Sequence, residues 1–312
     1  LVPSGTPILF EFQNSNLFFT EFEQTELGWI LNSTELVNSI RNSFTEIDTL
    51  LSNQPELHQS FLKATKIAAL YTTKAAEFDY LVVAQIENIK DIDLKTNPAI
   101  VLADKHTFSG IDIWEIDLEN APKNLALAVL GDVLIVSHSP VILEDAIAQM
   151  EAGTALADSP AFNYTRDAAA RQHHATMYVD FGQLITLLSM YATHESSGAM
   201  SIFRQFANWF ALDVRLADGS LFFSGYGYGL EQKNKFIATI KESSKKVSEV
   251  ESVLPDNTAF LFHVEMEKML EWLDLRTADI TGRETLERGF RSWLGDDLSL
   301  IHISEPTRRE GL

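Results

Sequence analysis

The sequence predicts an α+β fold: antiparallel sheet or sheets with packed helices, assembled from strand–helix units that partly repeat. Three observations support this. Several β-rich runs follow one another with only tight turns between them, which requires antiparallel pairing. The stretches 33–52 and 139–150 carry apolar residues at helical spacing. A strand-start pattern near the beginning of the chain returns near its end.

The repeat comes first. Residues 2–12 read Val-Pro-Ser-Gly-Thr-Pro-Ile-Leu-Phe-Glu-Phe, and residues 254–264 read Leu-Pro-Asp-Asn-Thr-Ala-Phe-Leu-Phe-His-Val. Pro3/Pro255, Thr6/Thr258, Leu9/Leu261 and Phe10/Phe262 share one spacing. A small turn after the proline feeds an apolar strand, and Leu17-Phe18 and Met269-Leu270 fall in register on the helix expected to follow. A weaker third copy is Thr176–Phe181, followed by Leu184, Leu187, Leu188 and Tyr191.

In 33–52 the residues Leu36, Ile40, Phe44, Ile47 and Leu51 form one stripe, with Asn32 as candidate cap and Glu35 three residues on. Strands are expected at Phe78–Ile86, Ala99–Asp104, Gly110–Ile116, Leu125–Leu130 and Val133–Ser137, the last two flanking a Gly131-Asp132 turn. Ser139-Pro140 is a cap followed by proline at the first helical position, and Gly153 can end that helix. A third helix is expected over 182–195. Asp218-Gly219 joins strands Phe210–Leu216 and Leu221–Tyr228 in a hairpin. Lys233, Lys235, Lys241, Lys245 and Lys246 lie on a helical stretch, 231–250, and read as a solvated face.

Bulk composition narrows the function. The chain has 312 residues, 24 Lys+Arg against 44 Asp+Glu, and a net charge of −20. That balance excludes phosphate-backbone binding to nucleic acid and attraction to an anionic membrane surface. No window approaches the roughly 18 uninterrupted apolar residues of a transmembrane helix. There are no cysteines, which removes disulfides, thiolate catalysis and Cys-ligated zinc. An apolar fraction of 46% is globular. We expect one α+β unit over 1–250, with a possible internal boundary near 151–175, and a second unit beginning at 251–297.

Candidate sites are sparse. The densest acidic cluster is Asp112, Glu115, Asp117 and Glu119 around Trp114. Asp112 and Asp117 are candidate catalytic carboxylates for a carbohydrate- or peptide-directed hydrolase, because paired acids do glycosidic chemistry and an indole offers a sugar platform. Against this, Asp112 shares a strand face with Trp114, as expected of a half-buried edge strand. His173-His174 and Asp180 could hold a metal, but neighbouring histidines seldom converge on one ion. Ser137-His138-Ser139 places adjacent side chains on opposite faces, so His138 cannot serve either serine as base. Gly225, Gly227 and Gly229 alternate with Tyr226 and Tyr228; period two lines the glycines on one strand face, a close-packing signal and not a dinucleotide fingerprint. No pattern calls for a cofactor or a metal.

Residues Leu298–Arg308 resemble the translation of a transposon adapter used in sequencing libraries. Residues 298–312 are therefore read as a tail, and the native chain is expected to continue past Asp297. Val2–Phe12, Leu130–Met150 with its Val-Ser-x-Ser-Pro step, Thr176–Leu188 and Leu254–Val264 resemble a bacterial domain-of-unknown-function family. The resemblance implies an extracytoplasmic location and an N-terminal membrane anchor preceding Leu1; it supplies no catalytic residues. The sequence thus points to a non-enzymatic envelope module that packs against a partner protein or the remainder of its own chain.

Overall fold

Ile8–Phe12 (β1) is apolar at every position except Glu11, a composition that suits a strand covered on both faces. The computed structural model describes residues 1–228 apart from 33, 73–77, 96, 99, 119–122, 170–173, 190–206 and 218. After β1 come four helices, α1 (Ser15–Phe22), α2 (Glu26–Leu31), α3 (Glu35–Leu51) and α4 (Pro55–Lys63). Six strands follow: β2 (Lys66–Thr72), β3 (Phe78–Gln85), β4 (Ile100–Phe108), β5 (Ile111–Leu118), β6 (Leu125–Leu130) and β7 (Val133–Ser137). The chain then forms α5 (Pro140–Glu151), α6 (Pro160–Ala168), β8 (Ala175–Asp180), α7 (Phe181–Ser189), β9 (Trp209–Ala217) and β10 (Ser220–Tyr228).

The described strands make one ten-stranded sheet in the order β10-β9-β8-β1-β2-β3-β7-β6-β5-β4. Every pairing is antiparallel. This is the α+β class expected from the sequence.

The strand pleat sends alternate residues to two cores. Phe12, Leu70, Tyr80 and Val136 face the first core, where Phe18 and Phe22 of α1, Phe44, Ile47 and Leu51 of α3, and Phe61 of α4 pack. Leu9, Ala69, Leu81 and Ile135 face the second core, under Leu143, Ala146 and Ile147 of α5 and Phe162 of α6. Within 151–169, Leu156 and Phe162 belong to the second core and Ala155 bridges to Pro3, so this stretch lies against the same sheet. Among the described residues no helix is long and apolar enough to cross a membrane.

Most expected elements are present with shifted ends. Helix α3 starts at Glu35 behind Thr34, not Asn32, because Asn32 is already the C-cap of α2. Ser139 stands at the N-cap position of α5 without a side-chain capping hydrogen bond, and Gly153, at φ +64°, ends the helix. Gly131, at φ +63°, turns β6 into β7. Strand β4 runs on to Phe108, four residues beyond its expected end. The close approach read from the glycine alternation falls at Gly225: a Cβ there would sit 1.8 Å from the Ala211 carbonyl oxygen of the paired strand. The segments 231–250 and 254–264, and with them the terminal copy of the repeat, lie outside the described residues, as do residues 298–312.

Candidate functional site

Alternation along β1 carries the site. Leu9 and Glu11 point to the second face while Phe10 and Phe12 point to the first. Glu11 is therefore driven into a largely apolar layer and is only 4% exposed. A buried carboxylate requires hydrogen-bond donors. The Tyr178 hydroxyl donates to its Oε2 at 2.8 Å, and Arg166 Nη2 donates to its Oε1 at 3.4 Å. Register explains the convergence: Glu11 lies opposite Thr176 on β8, two residues from Tyr178, while α6 brings Arg166 across. Thr176 in turn donates to Asp213 Oδ1 on β9 at 2.9 Å, extending a buried polar row along the face.

Beside this row, at the edge of α6, a pocket of about 930 Å³ opens. Its floor is Leu9, Ile67, Val83 and Val133, with Glu11 planted among them. Phe162 and Arg166 form one wall, and Glu56, Lys63 and Glu87 stand at its margin.

A second polar cluster lies in the first core. His138 Nε2 is 3.0 Å from Glu46 Oε2, and the Tyr80 hydroxyl is 3.0 Å from His138 Nδ1. The imidazole and carboxylate are both about nine-tenths buried, at 10% and 9% exposure. Burial, followed by Glu46 and Asp79 nearby, pushes the Tyr80 phenol up, with a Ser43 hydrogen bond opposing. Burial also raises the Asp79 carboxyl against the pull of the Tyr80 amide and of His138. Glu46 Oε1 is buried without a hydrogen-bond partner among the described residues.

Lys66 opens β2 facing the first core and is 2% exposed. Its ammonium donates to the Ala64 carbonyl at 3.2 Å and lies 4.5 Å from the centre of the Phe61 ring. Burial lowers its pKa to about 8, with Asp48 opposing. In the unfolded chain the same amine titrates near 10.5. Between these values the unfolded state binds more protons, so this lysine makes stability rise as pH rises through that window. Lys66→Met should stabilise the protein at pH 7 by about 1–3 kcal/mol and flatten the rise. Urea midpoints from pH 7 to 9, about a unit below the ordinary tyrosine pKa, check this. A wild-type midpoint that falls with pH, or a destabilised Lys66→Met, contradicts it.

The acidic candidates separate. Asp112 lies with Trp114 on the first-face side of β5 and shares with it a depression of about 480 Å³. Hydrogen bonds from Lys105 first and from Thr107, at 2.5 and 3.0 Å, hold the Asp112 carboxyl below the usual range. The Lys105 ammonium also lies 5.0 Å from the Trp114 ring centre. Asp117 alternates to the opposite face with Ile113 and does not line that depression. The two carboxylates thus do not flank one site, because an odd spacing of five along a strand reverses the face. Glu115 faces His106, which also meets Glu144 at 3.1 Å. Glu119 and His173 lie outside the described residues. His174 pairs with Glu21 at 3.3 Å, while Asp180 accepts from the Gly182 and Gln183 amides. Among the described residues no group of three His, Cys, Asp or Glu could hold a metal ion.

The sequence reading missed Glu11, Arg166 and Tyr178. The available signal was one acid on a strand that is otherwise apolar on both faces. His138 was set aside because its neighbours point elsewhere; its partners come from α3 and β3. Comparison with known proteins found no matching family model, no matching curated protein and no matching solved structure.

Proposed function

We propose that this chain is a non-enzymatic binding module of the bacterial cell envelope. Its ligand is a small amphipathic molecule that enters the pocket above β1, β2, β3 and β7. The carrying observation is the pocket itself: about 930 Å³, floored by aliphatic residues and holding one buried carboxylate in fixed geometry. Small-molecule sites typically span roughly 300–1,000 Å³ with an apolar lining and a few fixed polar groups. The envelope location rests on the family resemblance of the strand–helix patterns. A hydrolase using Asp112 and Asp117 around Trp114 finds Asp112 but not Asp117 at the depression, where the other acid is Asp93.

Titration with the neutral fluorophore Nile red tests the reading. The wild-type chain should brighten the dye with saturation near one equivalent. Ile67→Trp places an indole over the half-buried floor and should remove most of that signal while the melting temperature is retained. Equal brightening by a folded Ile67→Trp variant would remove the pocket as the binding site.

A further inference from the structure

We infer that the pocket selects an amphipathic cation: an alkyl or aryl body lying on Leu9, Ile67 and Val83, with one ammonium group meeting Glu11. The inference rests on the pocket being the binding site proposed above. Four observations lead to it.

First, Glu11 is the charge set into the floor, whereas Glu56, Lys63 and Glu87 belong to the margin. An ammonium that leaves water there meets a carboxylate already desolvated by folding, so the pair costs less than one assembled from two hydrated ions. An anion in the same place would face that carboxylate in a poorly screened environment.

Second, the two oxygens of Glu11 are held unequally. Tyr178 fixes Oε2 at 2.8 Å, which keeps the carboxylate aimed, while Arg166 reaches Oε1 at 3.4 Å, the outer limit of a hydrogen bond. The Arg166 side chain is 41% exposed, so water can receive the guanidinium where a ligand displaces it from Oε1. A ligand N–H then takes its place on Oε1 in a charge-assisted hydrogen bond.

Third, three glutamates, Glu11, Glu56 and Glu87, line the pocket together with Lys63, Arg166 and the amino-terminal Leu1, so both signs are present and the position of Glu11 on the floor sets the preference. Fourth, the whole chain bears a net charge of −20, and such a field raises the local concentration of cations and their rate of arrival.

Three probes with the same chain length separate charge from apolar contact: octylammonium, octanoate and octanol, titrated calorimetrically into the full 312-residue chain near neutral pH. Octylammonium should bind at least about tenfold more tightly than octanol, and octanoate more weakly than either. Glu11→Gln should bring octylammonium down to the level of octanol. Because that variant alters a buried hydrogen bond, Arg166→Gln provides a second reading at a partly exposed side chain. Removing the competitor for Oε1 should strengthen octylammonium binding several-fold and leave octanol unchanged. Octanol or octanoate binding as tightly as octylammonium overturns the inference while the pocket reading stands. Weaker octylammonium binding by Arg166→Gln also overturns it. If none of the three probes binds, the pocket reading fails as well.

Discussion

Phe12→Ala should destabilise the protein by about 3–5 kcal/mol, the range for deleting a buried aromatic ring whose surroundings cannot collapse into the space. Phe12 is 2% exposed and sits where three elements meet. Its ring centre lies 5.2 Å from Phe18 and 5.6 Å from Phe19 on α1, and 5.5 Å from Phe44 on α3. The contacts with Phe18 and Phe44 are edge-on, the geometry that adds to area burial. Relaxation would require α1 and α3 to shift together. The effect should also reach the pocket, because Phe12 fixes the pleat that turns its neighbour Glu11 to the other face. Urea denaturation followed by circular dichroism reads the loss. Phe10→Ala, at a half-buried ring on the same strand, is the milder comparison. A Phe12→Ala cost below about 1 kcal/mol would show that the aromatic cluster does not hold β1 in place.

The second large effect is expected at His138. Its imidazole and the Glu46 carboxylate are buried together, and Glu46 Oε1 already lacks a partner among the described residues. Removing His138 deprives Glu46 Oε2 of its contact in a layer where water cannot replace it. Breaking one side of a buried pair costs about 3–5 kcal/mol, more than the intact pair contributes relative to apolar replacements. His138→Ala should therefore be strongly destabilising, and the double replacement Glu46→Met with His138→Leu should recover much of the loss. A double-mutant cycle gives the coupling directly, expected at about 1–3 kcal/mol. Additivity within about 0.5 kcal/mol would mean that the two side chains are neighbours without being partners.

Long amphipathic helices and tight hairpins were legible in the sequence; short helices and pairings between distant strands were not. The stripe Ile40, Phe44, Ile47 and Leu51 runs over about three turns of α3, and these residues are buried as the spacing required. The β6–β7 turn was readable from Gly131-Asp132. By contrast, α2 has six residues and α4 nine, too few turns for a period to stand out from chance. Strand β2 reads Lys-Ile-Ala-Ala-Leu-Tyr-Thr; it is covered on both faces, so the alternation that marks a one-sided strand is missing. The site was harder still. Glu11 stands inside a motif singled out for its Pro, Thr, Leu and Phe, yet its meaning depends on Tyr178 and Arg166. These partners are 167 and 155 residues away along the chain. Local pattern fixes which face a side chain takes, whereas strand order decides what it meets there. Asp112 and Asp117 show the converse: they are near in sequence and divided by the pleat.

The most direct test is methyl NMR on the intact chain, labelled at Ile, Leu and Val, during titration with octylammonium. The account predicts saturable shifts that start at Leu9, Ile67, Val83 and Val133, the methyl-bearing floor of the pocket. Shifts centred instead on the depression beside Trp114 or along β10, with these four residues unmoved, would contradict it.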